Sequence, residues 1–257
     1  MPLTIDDRKI EFSEFLADEA RKVLIPYYRK QFAVETKADA TPVTQVDQDV
    51  EKVLRKLIQN NYPEHGVVGE EYGEERQNAE YTWVIDPIDG TKSFITGRPL
   101  FGTLIALVRE QKPVLGLIDQ PIISERWLGV NGVTKFNNEK ISTRECGELR
   151  DAYFATTSPF LFAQSDLGKI EHITKTAKYT IYGGDCYSYG QLALGRLDVV
   201  IEAGLKPYDF CALVPVIENA GGKITDWGGN EITMNSNGKI LACGDAVLHG
   251  KIRDTLI

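Results

Sequence analysis

The 257-residue chain lacks any run of about 18 apolar residues, the length a membrane-spanning helix needs. Its opening MPLTIDDRKI carries charges where a secretory signal would need an apolar segment, so neither export nor insertion is expected and a cytoplasmic protein is the default. Cysteine is sparse. Cys146, Cys186, Cys211 and Cys243 lie far apart with no C-x-x-C pair, which fits small, reduced core residues better than a disulfide framework or a zinc site. Histidine is sparser still: His65, His172 and His249 are scattered, fit surface or packing roles, and sit in no G-x-S-x-G setting. A Walker loop is absent, because the GTKS at 90–93 lacks the first glycine. Basic charge is also short, with 29 Lys and Arg against 37 Asp and Glu for a net charge of -8. Nonspecific nucleic-acid binding needs a basic face and is not expected. An acidic chain that binds an anion must draw positive charge from a metal, a helix N-terminus or a few basic side chains.

What is present is ordinary globular material, 42% hydrophobic and 26% charged, enough for one large core or two smaller ones. Residues 10–33 follow a helical stripe with a kink at Pro26. A second helix is predicted from Thr44, with Asp47 three residues on as a capping partner and Val46, Val50, Val53, Leu54, Leu57 and Ile58 on one face, fraying by Asn60 or Asn61. Residues 66–69 and 81–86 read as short buried strands. Strand-length segments fill 101–137, and Asn131-Gly132 is a hairpin signal, so an antiparallel meander is expected there. Beyond about residue 140 helices and strands alternate. Strands are expected at 152–157, LDVVIEA, GGKITD and KILACG, and helices at 159–177, 186–195 and 207–220, the last kinked by Pro215. The chain divides into an N-terminal α+β half, 1–140, and a C-terminal α/β half, 141–257, with no linker between them.

The chemistry gathers in WVIDPIDGTKSF, residues 83–94, where an apolar run ends in two aspartates three apart. Pro87 cannot donate a ladder hydrogen bond and should stop the sheet, so Asp86 and Asp89 leave one corner together. Alone, the pair reads as a turn cap. It is not alone, because VVGEEY puts Glu70 and Glu71 after another short apolar run that could lie beside it. Asp209 in KPYDFCALVP adds a carboxylate that is either an N-cap or a ligand. Like charges at strand ends repel unless a cation holds them, and such hard oxygens suit Mg²⁺. Gly90, Thr91 and Lys92 offer backbone N–H groups that could cradle a phosphate at a short helix start. With no convincing protein nucleophile, attack by metal-activated water is the economical chemistry.

In order and spacing, GEE (69–71), WVIDPIDGT (83–91) and YDFCALVPVIENAGG (208–222) resemble the three signature motifs of the inositol monophosphatase superfamily of Mg²⁺-dependent phosphatases, across most of the chain. The resemblance implies a layered αβαβα sandwich, an α+β fold with an antiparallel N-terminal sheet and an α/β C-terminal half. It implies Glu70, Asp86, Asp89, Asp209 and the carbonyl of Ile88 as ligands of two or three Mg²⁺ ions, and Gly90 and Thr91 as phosphate holders. Asp47 and Thr91 would orient the attacking water, with Glu70 also in the catalytic set, and a homodimer is usual. Tyr208 departs from the family's frequent Trp, and Phe210, Cys211 and Leu213 are bulkier than its usual residues, which bears on pocket shape.

FITGRPLFGTLIAL (94–107) and YGGDCYSYGQLALGRLDVVIE (182–202) look like the histidinol-phosphatase branch. Histidinol phosphate carries an amine and an imidazole, which Asp185 and Glu202 could pair with, whereas neutral inositol hydroxyls need no such charge. Asp185 could equally cap the helix that begins at Cys186. The rival readings are an inositol-1-phosphate or broad sugar-phosphate phosphatase of the same fold, an aspartyl-nucleophile phosphatase, and a noncatalytic metal- or phosphate-binding regulator. Pro87 and Ile88 intervene where the aspartyl-nucleophile motif needs D-x-D.

Overall fold

The computed structural model describes residues 4–36, 42–76 and 78–257. Helix α1 (Asp7–Leu24) starts at Asp6, whose carboxylate accepts the Lys9 N–H at 3.1 Å. It ends before Pro26, and a 3₁₀ turn, Ile25–Tyr27, replaces the helix expected on to residue 33. Strands β1 (Val34–Thr36) and β2 (Pro42–Thr44) pair antiparallel. Helix α2 (Gln45–Asn61) opens with the expected capping box: the Thr44 hydroxyl accepts from the Val46 and Asp47 amides, and Asp47 accepts from the Thr44 amide at 2.8 Å.

Then come β3 (Gly66–Gly69), β4 (Gly73–Glu75), β5 (Tyr81–Asp89), α3 (Thr91–Ile95), β6 (Gly102–Arg109), β7 (Lys112–Gln120), β8 (Glu125–Val130), β9 (Val133–Phe136) and β10 (Glu139–Ile141). They form an eight-stranded sheet ordered β10-β9-β8-β7-β6-β5-β3-β4, with the predicted meander from β6 onward. Asn131 and Gly132 take φ of 52° and 78° in the two-residue turn between β8 and β9. Strand β3 lies parallel to β5, Gly66 opposite Thr82, so the GEE segment does emerge next to DPIDGT.

The remaining elements are β11 (Tyr153–Thr156), α4 (Leu167–Thr176), β12 (Tyr179–Tyr182), α5 (Asp185–Ala193), β13 (Val199–Glu202), α6 (Pro207–Phe210), α7 (Leu213–Glu218), β14 (Lys223–Asp226), β15 (Ile240–Cys243) and α8 (Ala246–Leu256). A five-stranded mixed sheet runs β12-β11-β13-β15-β14. Packing makes five layers. Val46, Val50 and Leu54 of α2 and Leu16 of α1 meet Trp83, Ile85, Ile105 and Leu107 on the outer face of the large sheet. Its other face presents Val84, Leu104 and Ala106 to Tyr189, Leu192, Phe210 and Val216 of the middle helices, which in turn cover Val200 and Ala242 of the small sheet. The far face of that sheet, Phe154, Val199 and Leu241, is closed by Ile170, Ile173, Leu248 and Ile252 of α4 and α8. Strands buried on both faces explain why 102–108 reads as one unbroken apolar run.

Several expectations are corrected. Pro87 does not stop the sheet: β5 continues to Asp89, with Asp86 opposite Leu104 and Asp89 opposite Gly102, so one extra residue is absorbed as a bulge. The helix expected over 159–177 is a 3₁₀ turn at Pro159–Leu161, capped by Ser158, followed by α4 only from Leu167. The 207–220 helix breaks at Cys211 and Ala212 rather than at Pro215, which sits in the first turn of α7, where its missing N–H has no intrahelical partner to lose. Strands β1, β2, β4 and β10 and helix α8 were not anticipated, whereas α3 begins at the short helix start expected after Gly90. Cys186, Cys211 and Cys243 are buried free thiols, whereas Cys146 is half-buried.

Candidate active site

The bulge in β5 is what aims two carboxylates the same way. Asp86, 2% exposed, turns back to accept the Ile88 N–H at 3.0 Å, and the Thr103 hydroxyl donates to the Pro87 carbonyl at 2.8 Å, locking the extra residue in place. Gly90 follows with φ 87°; a Cβ there would lie 3.0 Å from Asp185 Oδ2 and 3.1 Å from the Leu100 carbonyl, so only glycine fits. The Thr91 hydroxyl donates to the Ile88 carbonyl at 3.0 Å as α3 begins.

Asp209 arrives from α6, in the middle layer. Its Oδ2 accepts the Lys206 N–H at 2.6 Å from the third position of α6, so Lys206 rather than Asp209 is the N-cap, and it also joins Asp86 and Asp89, with one oxygen of each within 4.8 Å of the others. Asp89 Oδ2 accepts the Cys186 N–H at 2.6 Å, so the amide end of α5 faces the cluster. Glu70, from the turn after β3, lines the same cleft.

The electrostatics express the crowding. Burial, then the charges of Glu70, Asp89 and Asp209, hold the Asp86 carboxyl well above the usual carboxylate range. Burial, then Asp185 and Asp209, do the same to Asp89. Asp209 is pushed up to about 7 by burial, its hydrogen bond from Lys206 working the other way. Three aspartates that resist ionising together form a cluster that could hold a cation, and hard carboxylate oxygens beside a backbone carbonyl are the donor set Mg²⁺ takes. Asp47 agrees: it is 1% exposed, burial raises it to about 6, and its Oδ1 has no hydrogen-bond partner among the described residues. The residues present fit divalent cations.

The cleft has a volume of about 450 Å³ and is lined by Glu70, Asp86, Ile88, Asp89, Gly90, Thr91, Lys92 and Asp209 together with Arg98, Thr157, Ser158, Phe160, Gly183 and Asp185. Asp185 takes φ 44° at the first position of α5, its N–H donating to the Thr157 hydroxyl at 3.2 Å. Burial raises its carboxyl to about 6, offset by the positive charges of Lys92 and Arg98. Glu202 is not on the cleft wall. Its oxygens accept the Thr157 N–H at 3.0 Å and the Tyr189 hydroxyl at 3.3 Å, so it supports Thr157 from behind. Asp47 is buried behind the cleft wall, where the charge of Glu70, which lines the cleft, acts on it. Sequence reasoning missed Arg98, Thr157, Ser158 and Phe160. Arg98 stood in the quoted FITGRPLFG element as a cation beside an acidic motif, a usable signal; the other three carry none.

Carboxylates from three separate elements converge beside a glycine turn, and the relatives of the chain indicate a phosphoric monoester hydrolase. Residues 6–256 match the model of the inositol monophosphatase family, and the chain belongs to that family. It is 48% identical over 97% of its length, and 75% of the relative's, to the bifunctional phosphatase IMPL2, chloroplastic, of Arabidopsis thaliana. It is 32% identical to the histidinol-phosphatase of Chlorobaculum parvum, covering 88% of this chain and 89% of that one. An inositol monophosphatase structure from Zymomonas mobilis, in a study of a flexible region at its active site, superposes with TM-score 0.90 at 44% identity, over 97% and 98% of the two chains. No described helix is long and apolar enough to cross a membrane.

Proposed function

We propose that the chain hydrolyses histidinol phosphate to histidinol and inorganic phosphate. The observation that carries this reading is Asp185, an acidic side chain on the cleft wall that also bears the aspartate cluster, close enough to Gly90 to share its turn. A substrate whose alcohol portion carries an amine and an imidazole gains from that charge; a neutral polyol does not. Phe160, 94% exposed at the cleft, offers an aromatic face of the kind an imidazole can stack on. Relatives named histidinol-phosphatase support the choice.

In this reading Glu70, Asp86, Asp89, Asp209 and the Ile88 carbonyl hold Mg²⁺, and Gly90 and Thr91 hold the phosphate. When bound, the ions polarise the phosphoryl group and acidify water. Asp47 and Thr91 orient the attacking water: Asp47 Oδ2 is committed to Thr44, which leaves Oδ1 as the acceptor for the water's proton. A carboxyl raised to about 6 takes a proton more readily than an ordinary aspartate near neutral pH. The water oxygen bonds to phosphorus as its proton passes to Asp47, the ester bond breaks, and the departing alkoxide takes a proton from solvent water to give histidinol. Lys92 and Arg98 line the same cleft, and their positive charges act on Asp185.

The test is a panel of phosphomonoesters with Mg²⁺ on the purified protein. Histidinol phosphate should give the highest kcat/KM. Equal or better turnover of inositol 1-phosphate would discard the substrate assignment in favour of the second reading, an inositol or broad sugar-phosphate phosphatase, which the likeness to the Zymomonas mobilis structure favours.

A further inference from the structure

Glu51 lies in the middle of α2, one turn after Asp47 and one turn before Arg55, outside the helix's apolar stripe and yet 0% exposed. A carboxylate is buried this completely only when its oxygens are occupied. Here Oε2 accepts the Glu71 N–H at 2.7 Å, while Oε1 accepts the Tyr72 N–H at 3.1 Å and Arg55 Nε at 2.8 Å. Arg55, itself 6% exposed, reaches on to Glu75 Oε1 at 3.1 Å and to the Gly73 carbonyl. Two side chains on consecutive turns of α2 thus grip both limbs of the turn that joins β3 to β4. Gly69, at the end of β3, lets this happen, since any Cβ there would run into the Glu51 carboxylate.

That turn begins with Glu70, which lines the cleft and whose charge acts on Asp47, Asp86 and Asp209. Strand β4 is three residues long and at the sheet edge, so its ladder alone holds the turn weakly. N–H groups donating to an ionised carboxylate make shorter and stronger bonds than neutral pairs.

We propose that Glu51, backed by Arg55, is the positioning residue for Glu70, fixing the backbone of the turn so that the Glu70 carboxylate meets the cations together with Asp86 and Asp209. The same helix then carries Asp47 on the adjacent turn, and α2 sets the distance between the water-orienting group and this cation ligand. The inference rests on Glu70 being a cation ligand; it does not depend on which phosphomonoester is cleaved.

Glu51→Gln keeps the volume and removes the charge. The probe is Mn²⁺, whose binding to the folded protein is read by electron paramagnetic resonance, with melting in chelator measured alongside. Mn²⁺ should bind on the order of 10–100-fold more weakly than to the parent protein, the range for residues that orient a metal ligand. The Mg²⁺ concentration for half-maximal rate should rise in step while kcat at saturating Mg²⁺ changes far less. Unchanged Mn²⁺ affinity with a lowered melting point would reduce Glu51 to a structural role and overturn the proposal. Should the variant not fold, hydrogen exchange on the parent protein decides: the Glu71 and Tyr72 amides should exchange slowly, and exchange at the rate of an open loop overturns it. A parent protein that binds Mn²⁺ but leaves histidinol phosphate intact refutes the substrate assignment and leaves this inference standing.

Discussion

Glu202 is 3% exposed and pushed up by burial to about 7 from an ordinary 4.5, with the Asp185 charge adding to the effect and the Thr157 hydrogen bond opposing it. A carboxyl raised in the folded state contributes stability that is complete below its unfolded value and is lost as pH climbs through the folded one, here between about 4.5 and about 7. Each pH unit of displacement is worth about 1.4 kcal/mol, so ionising Glu202 costs the folded protein about 3 kcal/mol by pH 8, an upper figure for so enclosed a group. Glu202→Gln removes that cost and keeps both hydrogen bonds. The amide oxygen can still accept from the Thr157 N–H, and the Tyr189 hydroxyl can rotate to accept from the new NH₂. The variant should therefore melt higher than the parent at pH 8, by about 6–12 °C at 2–4 °C per kcal/mol, and should match it at pH 4.5. Scanning calorimetry in chelator across pH 4.5–8 reads the difference; Asp86 and Asp89 titrate in both proteins, and Asp185 and Asp209, which share charge repulsion with Glu202, ease in the same stabilising direction when that charge is removed. A gain that is the same at both ends of the range, or none at pH 8, would show that Glu202 is not the strained carboxylate its surroundings make it.

Asp89→Asn should reduce Mg²⁺-dependent hydrolysis more than about a hundredfold, beyond what outer-shell partners command, because it removes a ligand charge without changing volume. Its melting point in chelator should not fall, since the lost charge is one that Asp86, Asp185 and Asp209 repel; hydrolysis at near-parent rates would dissolve the cation site. Asp185→Ala should raise the KM for histidinol phosphate about tenfold, roughly 1.4 kcal/mol, while leaving that for an aryl phosphate nearly unchanged, and parallel losses would remove Asp185 from recognition. Away from the site, Asp119 is 0% exposed and is held by Arg21 at 2.6 Å and Arg126 at 2.7 Å. Asp119→Ala takes from Arg21 its carboxylate partner and leaves Arg126 only Asp18 at 2.7 Å, and should cost about 3 kcal/mol in urea denaturation at unchanged KM.

What the sequence discloses here follows how local the cause is. The capping box of α2 closes over four residues, Thr44 to Asp47, and both its partners are visible as letters. The pairing of GEE with DPIDGT was readable because two short apolar runs that end in carboxylates have few other places to go. The continuation of β5 past Pro87 was not, because it depends on Gly102 and Thr103 of a strand formed later in the chain. Glu51 was missed for a related reason: a polar letter on the polar side of a helix looks solvated until a hairpin turn folds over it. The same holds for Asp209, whose motif could be quoted but whose arrival beside Asp86 is a tertiary fact. Helix α7, following α6 directly, lies against β7 and β8 at Gly116 and Gly129, where a Cβ would run into the carbonyls of Ala212 and Pro215. Those two glycines, far from Asp209 in the sequence, allow the middle layer to sit close enough to the large sheet for the third carboxylate to join the other two. Pro215, which local rules mark as a defect, is part of that contact, so the feature that weakened the helix assignment belongs to the packing that assembles the site.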